Sequence, residues 1–384
     1  MKKKQELGQY FTTNDTLKNK VLEFVLNEPN IILEPSVGQG DLVEIIHNKN
    51  SKIRFDMYEI DTTIKMLNDI PNNVNYGDFM EETIDKKYLT IIGNPPFVRT
   101  KKGNLYIDFI EKCYNLLEYN GELVFIIPSD FFKLTCAAKL LNIMIENGTF
   151  THIYHPHDEN LFQNASIDVL VFRYCKNSKL KNVILYNNEL LYVINNDGLI
   201  TFNKKDSSDL TSFKDYFDIY VGLVSGKESV YKNKDFGNIK VLNGKNKVEK
   251  YIYVEDYPCN SETINEYLLN NKEELMNRKI KKFTEKNWYE WGAPRNISKM
   301  KLNKGKSCIY IHNLTRKDEV AFLGKVDYFG GNLLILIPKK KYNLKRAVKY
   351  LNSNSFKKNF MFAGRFKIGH RQLSNSYLPF SFHS

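Results

Sequence analysis

The chain has 384 residues, 56 Lys+Arg against 44 Asp+Glu, a net charge of +12 and 42% hydrophobic residues. That length suits about two domains with a sizeable core, which excludes global disorder, and a mean hydropathy of −0.44 without an apolar run near about 18 residues excludes a membrane-spanning chain. Residues 1–175 hold 18 Lys+Arg against 24 Asp+Glu and residues 176–384 hold 38 against 20, so the halves stand at −6 and +18 and suggest an enzyme core joined to a polyanion-binding module.

The basic start Met1–Leu7 has no apolar stretch behind it and is not expected to be a signal peptide. Ile31-Ile32-Leu33 is expected to form a strand that ends in a Gly-containing turn, Pro35 to Gly40, with Asp41 capping a helix to about Asn48. Ile53–Tyr58 and Thr90-Ile91-Ile92 read as further strands, the latter stopped by Asn94-Pro95-Pro96. Leu105 to Leu117 has helical spacing of apolar residues. Leu123–Ile127 and Val169–Tyr174 are strands apolar on both faces. Doubly buried strands alternating with helices indicate an α/β fold with a mostly parallel sheet.

Asn177–Asn203 reads as the end of the first domain and a connection. Beyond about residue 205, aromatic and β-branched stretches (Tyr251–Val254, Cys308–Ile311, Leu333–Ile337) alternate with Lys/Asn/Gly-rich loops, and a helix is expected from Leu344 to Leu351. This is the texture of a smaller α+β domain. Five cysteines (Cys113, Cys136, Cys175, Cys259, Cys308) lack paired spacing, which suits neither a disulfide framework nor a zinc site and fits a reducing cytoplasm.

Two stretches of the first half carry chemistry. Glu34-Pro35-Ser36-Val37-Gly38-Gln39-Gly40 follows a strand and opens a helix, where backbone amides can approach a ligand closely. Nineteen residues beyond Gly40 stands Glu59, placed to hydrogen-bond ribose hydroxyls at the edge of a Rossmann-like sheet. The strict dinucleotide glycine pattern is absent, which points away from NAD towards another nucleoside ligand. In Asn94-Pro95-Pro96-Phe97 the prolines fix the backbone and lack amide hydrogens. Free carbonyls and the Asn94 side chain can then accept hydrogen bonds from a planar amine, with an aromatic ring next in line.

In that setting Asn94-Pro95-Pro96-Phe97, with Glu59 and Tyr76-Gly77-Asp78-Phe79, resembles the amino-methyltransferases that use S-adenosyl-L-methionine. Leu7-Gly8-Gln9-Tyr10-Phe11-Thr12-Thr13 resembles the N-terminal cofactor motif of the γ-group DNA adenine methyltransferases of restriction–modification type. Asn104–Lys112 and Gly121–Pro128 match further motifs in the same order, and Leu161–Asp168 is similar to the loop whose aromatic residue faces the target base. The ordered resemblance covers about residues 5–175. Val221–Gly226, Lys349–Ser353 and Gly364–Leu373 more loosely resemble parts of that family's target-recognition domain.

The resemblance implies a Rossmann-like catalytic domain over residues 1–203 and a DNA target-recognition domain over 204–384. It implies methyl transfer to the N6 amine of an adenine flipped from double-stranded DNA. Asn94, Pro95, Pro96 and Phe97 would be catalytic. Thr12, Glu34, Pro35, Ser36 and Gly38 would hold the methionine end of the cofactor, Glu59 its ribose and Asp78 its adenine amine, with Ile60, Phe79 and Phe109 lining the adenine pocket. Phe162 would stack on the base, and Arg365, Lys367, His370 and Arg371 would include DNA contacts. A cytoplasmic monomer is expected, with no metal and no membrane, alongside a cognate restriction endonuclease whose existence the sequence leaves open. The alternatives are an amino-methyltransferase acting on protein glutamine or RNA, and a non-catalytic DNA-binding subunit.

Other signals are set aside. His152, His155, His157 and Asp158 could ligate a metal but read as a wet loop near the base pocket. Gly226-Lys227 and Gly305-Lys306-Ser307 lack the earlier glycine of a phosphate loop, since Val221 and Met300 stand there. Lys339-Lys340-Lys341 is a candidate phosphate contact, and Trp288, Trp291 and Arg295 read as core packing.

Overall fold

A computed structural model describes residues 10–68, 70–71, 73–100, 103–162, 166–177, 182–204, 206 and 211–379. Leu7, Gly8 and Gln9 of the N-terminal motif, and Gln163, Asn164 and Ala165 of the base-facing loop, lie outside the described residues. The chain divides into two compact units, Met1–Asp209 with Met361–Gly364, and Leu210–Phe360 with Arg365–Ser384.

The first unit is built on a ten-stranded sheet: β1 (Ile31–Glu34), β2 (Arg54–Glu59), β3 (Val74–Tyr76), β4 (Tyr88–Gly93), β5 (Leu117–Pro128), β6 (Gly148–Tyr154), β7 (Val169–Lys176), β8 (Val183–Tyr186), β9 (Glu189–Asn196) and β10 (Leu199–Asn203). Their order across the sheet is β10-β9-β8-β6-β7-β5-β4-β1-β2-β3. The run from β3 through β5 is parallel throughout. β7 runs antiparallel to both β5 and β6. This is an α/β Rossmann-like fold. The strand order reverses between β1 and β4, and in open α/β sheets the crevice beyond the carboxyl ends at such a point is where ligands bind. Glu34 ends β1, and Asn94 follows the end of β4.

Apolar residues explain why the sheet sits where it does. β5 is buried from Gly121 to Ile127 and β7 from Val169 to Cys175, so helices must cover both faces. Helix Leu105–Leu116 buries Phe109, Ile110 and Cys113 in a cluster with Leu123, Phe125 and Phe172. Helices Asp15–Phe24 and Asp41–Lys49 bury Leu17, Val21, Val43 and Ile46 on the other side with Ile32, Phe55 and Val124. The one charged group at the centre, Glu122, is fully satisfied. It accepts from Arg173 Nε (2.7 Å), Thr90 Oγ1 (3.0 Å) and the amides of Asn27 (2.9 Å) and Leu26 (3.2 Å).

Two expectations are corrected. Asp41 does not cap the helix Asp41–Lys49: Gly40 is the N-cap, at φ 99°, and a Cβ there would stand 2.4 Å from Ile70 Cδ1. Asp41 is the first helical residue, and its buried carboxylate accepts from Gln39 Nε2 at 3.2 Å. Asn177–Asn203 is not a connection either, because β8, β9 and β10 extend the sheet through it.

The second unit is α+β. Strands Phe217–Val221, Leu333–Pro338, Ser307–His312 and Ala321–Lys325 form an antiparallel sheet in that order. A separate cluster packs Trp288 and Trp291 with Tyr231, Tyr251 and Leu268, so both tryptophans are core. Arg278 lies buried beside it and donates to the carbonyls of Leu275, Ser225, Glu290 and Trp288. Helix Leu344–Leu351 forms as expected and buries Ala347 and Leu351. No helix among the described residues is long and apolar enough to cross a membrane.

Candidate functional site

A cavity of about 1020 Å³ opens at the switch point. Pro35, Ser36, Gly38, Glu59, Ile60, Asp78, Phe79 and Phe109 line it, as do Asn94 and Pro96. A recess of about 30 Å³ shares Ser36, Gly38 and Asn94 with it and adds Thr12, Glu34 and Asp41. The structure therefore gathers all ten expected cofactor residues around two connected spaces.

Each position has a local cause. β2 ends at Glu59, whose Oε2 accepts the Gly38 amide and Oε1 the Asp61 amide, each at 2.9 Å. That fixes the carboxylate at the lip of the Gly turn. Phe79 and Phe109 stack at 5.4 Å between centroids with planes 29° apart, and both are buried. Ile60 is 53% exposed, an apolar side chain left at the cavity wall for a ligand to cover. Asp78 is exposed and accepts the Met80 amide at 2.9 Å.

Electrostatics single out the recess. Glu34, Asp41 and Glu59 are all buried, and among the described residues none forms an ion pair. Burial pushes the Glu34 carboxyl up to about 8, against the pull of the Ser36 amide and with the Glu59 charge adding to it. Burial likewise raises Asp41, against its bond from Gln39, and Glu59, against the Asp61 and Gly38 amides. Lys18 acts on Asp41 from a distance, but three buried carboxylates outside any ion pair among the described residues favour a positively charged ligand.

Asn94 carries the sharpest geometry. Its Nδ2 donates to the Tyr10 carbonyl (2.7 Å) and to Thr12 Oγ1 (3.0 Å). A carbonyl only accepts, so this pair fixes which way the amide faces. Asn94 Oδ1 is then buried without a hydrogen-bond partner among the described residues. An unmet buried acceptor costs about 1–3 kcal/mol, recoverable by a ligand N–H. Thr12, expected at the cofactor, thus also orients Asn94. Pro95 is buried and Phe97 half-buried beside it.

Phe162 departs from expectation. It is 3% exposed in a core cluster and is no open platform. Its ring lies 6.2 Å from Phe97 and 5.9 Å from Tyr10, and Tyr10 stacks on Phe97 at 5.9 Å with planes 24° apart. Without a base between them, the three rings cover one another's apolar faces. Tyr10 and Asp41 are the site residues that sequence reasoning missed. Both were legible as neighbours of assigned residues, Tyr10 two before Thr12 and Asp41 directly after the Gly turn.

The histidine stretch is only partly a wet loop: His157 and Asp158 are exposed, and His152 lies on β6. His155 is buried, with Nε2 2.7 Å from Asp168 Oδ1 and Nδ1 2.9 Å from the Tyr186 hydroxyl. Asp168 Oδ2 also accepts from Ser129 Oγ and the Ala363 amide, each at 2.9 Å. No metal-ligand cluster occurs among the described residues.

In the second unit the four expected DNA contacts share one stretch. Strand Arg365–Lys367 pairs with Leu314–Thr315. Lys367 is exposed and Arg365 half-buried, while His370 and Arg371 open the helix His370–Asn375. His370 Nε2 is 2.9 Å from the Ile219 carbonyl, so that nitrogen is already engaged.

Residues 22–162 match the Eco57I restriction-modification methylase family. The chain is 31% identical over 208 residues to the type II methyltransferase M.HincII of Haemophilus influenzae, which covers 48% of this chain and 40% of that protein. It is 24% identical over 268 residues to the ribosomal RNA small subunit methyltransferase A of Mycoplasmopsis pulmonis, covering 67% of this chain and 91% of that one. A DrdV–DNA complex shares the fold at a TM-score of 0.50 and 10% identity, over 89% of this chain and 50% of that chain. The chain spans about two fifths of the length of the type II methyltransferase. The family match and the fold imply S-adenosyl-L-methionine as the cofactor, and the site fits it. The stacked pair Phe79–Phe109 suits an adenine, Glu59 a ribose, and the uncompensated carboxylates a ligand carrying an ammonium and a sulfonium.

Proposed function

We propose that the protein is a site-specific DNA methyltransferase that transfers a methyl group from S-adenosyl-L-methionine to the N6 amine of an adenine flipped out of duplex DNA. The observation that carries this is Asn94, which lines the cavity and whose amide is pinned so that its buried Oδ1 is left as an acceptor without a partner among the described residues. The type II methyltransferase likeness supports DNA as the substrate and a cognate restriction endonuclease as counterpart. The first unit carries the chemistry and the basic second unit holds the duplex.

When bound, the cofactor supplies a methyl group already activated as a sulfonium. Glu59 holds its ribose, Phe79, Phe109 and Ile60 its adenine, Asp78 the adenine amine, and Glu34 and Asp41 its positive end. The adenine N6 is a poor nucleophile because its lone pair is conjugated with the ring. Asn94 Oδ1 and the Pro95 carbonyl accept its two hydrogens, draw the nitrogen towards tetrahedral geometry and free the lone pair. Orientation and fixed dipoles supply the rate. Flipping the base costs a few kcal/mol. Stacking on Phe97 returns about 1–3 kcal/mol. Tyr10 must leave Phe97 for that to happen, since its ring covers it now.

The ribosomal RNA methyltransferase likeness favours a second substrate, RNA, because it spans more of both chains. Labelled methyl transfer to duplex DNA and to structured RNA, at equal phosphate concentration, separates the two. Incorporation into duplex DNA that is much reduced in Asn94→Ala supports the proposal. Incorporation into RNA alone replaces it.

A further inference from the structure

The positive charge is far more localised than the two halves suggest. Asp327 is the last acidic residue: residues 328–384 hold eleven Lys+Arg and no Asp or Glu, against a net of +12 for the whole chain. Upstream in the same unit, acidic residues are interspersed and several lysines are paired, Lys272 with Glu285 at 2.5 Å among them. Lys245 pairs with Glu319 at 2.7 Å, Lys281 with Glu290 at 2.9 Å and Lys301 with Glu255 at 2.8 Å. Past Asp327, Lys357 reaches Asp318 at 3.8 Å, whereas Lys340, Lys341, Lys345 and Lys349 form no ion pair among the described residues.

Helix Leu344–Leu351 concentrates this charge. Ala347 and Leu351 are fully buried, while Lys345 and Lys349, one turn apart, are exposed with Arg346 beside them. Its local electrostatics run against helix stability. The first turn holds Lys345 and Arg346 and no acid, at the positive end of the helix dipole. Lys345 and Lys349 repel each other at i,i+4. Asn343 makes no capping bond with its side chain. The apolar face is correct and the polar face breaks three local rules, a conflict that marks function rather than folding. A face serving only solubility would mix both signs and avoid these costs.

We propose that the exposed face of helix 344–351, with Lys340 and Lys341, grips the sugar-phosphate backbone of duplex DNA without reading sequence. This rests on the DNA-methylating function above and adds where the phosphates are held. Eight helical residues span about 12 Å, and duplex DNA carries one negative charge per about 1.7 Å of axis, so several charges lie within reach of that face. It also separates two tasks in the second unit. Backbone contacts position the protein here, leaving the segment Arg365–Arg371 for base edges.

The test replaces Lys340, Lys341, Lys345 and Lys349 with Gln and measures duplex DNA binding by anisotropy from about 50 to about 200 mM salt, for several sequences. The expected result is a slope of log affinity on log salt that is shallower by up to about 3.6, since each of the four phosphate contacts contributes about 0.9. The loss should be equal across sequences, with an unchanged or raised Tm. A control with the same charge change, replacing the paired Lys245, Lys272, Lys281 and Lys301 with Gln, should keep the wild-type slope. Equal slopes in wild type and the first variant, or an equal loss in the control, overturn the grip. A wild type that binds no duplex DNA overturns the underlying function instead. If the fourfold variant unfolds, Lys345→Gln and Lys349→Gln singly should each still lower the slope by about 0.9, and no change in either overturns the proposal.

Discussion

The two units handle charge in opposite ways. In the first, Glu34, Asp41, Glu59 and Glu122 are buried, so each must be matched by a partner, a proton or a ligand. Arg173 matches Glu122, and among the described residues no cation pairs with Glu34. In the second, most charge is exposed and its excess sits in one acid-free stretch. A buried charge selects a ligand by sign at short range and is little affected by salt. Exposed charges act collectively over about 10 Å at 0.1 M salt and are readily screened. Cofactor recognition and polyanion recognition are thus two different kinds of electrostatics on one chain.

The largest effect expected from this contrast is on salt dependence. Raising salt from about 50 to about 200 mM should weaken duplex DNA binding by about 10³ or more, as for a protein making several phosphate contacts, while cofactor affinity in calorimetry barely moves. Equal salt sensitivity of both would break the comparison. Next comes Asn94→Ala, which should lower the single-turnover methyl-transfer rate by about 10²–10³, the cost of removing one aligned polar group from a reacting centre. Cofactor affinity should stay within about threefold, because the substitution leaves the carboxylates in place.

The aromatic trio sharpens the picture further. Phe162→Ala removes a buried ring and should cost about 3–5 kcal/mol of folding stability, seen as a lower denaturation midpoint. Phe97→Ala, half-buried, should cost less stability but lower transfer by about 5- to 150-fold through lost stacking of about 1–3 kcal/mol. Reversed outcomes would exchange the two rings' roles.

The smallest effect is a pH dependence set by Glu34. Burial raises its carboxyl from the ordinary 4.5 to about 8. A raised folded-state value means stability that is fully present below 4.5 and lost as pH rises through about 8. A cationic ligand favours the ionised form, so cofactor affinity should rise by up to about tenfold between about pH 7 and about pH 9. Glu34→Gln should flatten that profile, weaken cofactor binding and stabilise the free protein at the alkaline end. An unchanged profile in Glu34→Gln would remove Glu34 from cofactor recognition.

Much of the first unit is legible from residues alone. β1, β4, β5 and β7 are apolar runs; expected cofactor residues cluster at the ends of β1, β2 and β3, and Asn94 follows β4. β8–β10 are harder to read because β8 and β9 are only partly buried and β10 has five residues, with Asn-rich connections that read as linker. Their turns did carry a signal: Asn187-Asn188 have φ of 46° and 64°, and Asp197-Gly198 have 52° and 72°, the positive values of two-residue hairpins. Asp41 misled because a left-handed Gly40 takes the cap position with no side chain to reveal it. The mutual cover of Tyr10, Phe97 and Phe162, and the two acceptors that turn the Asn94 amide, join residues up to 152 positions apart, and no local pattern encodes them.

One measurement tests the central claim most directly. Duplex DNA incubated with the protein and labelled S-adenosyl-L-methionine, digested to nucleosides and resolved by mass spectrometry, should yield N6-methyladenine at a defined sequence. Over the same incubation, short of completion for the wild type, the yield from Asn94→Ala should be lower by about 10²–10³. Label on cytosine, on RNA or on protein with none on adenine of duplex DNA, or undiminished N6-methyladenine from Asn94→Ala, would contradict the account.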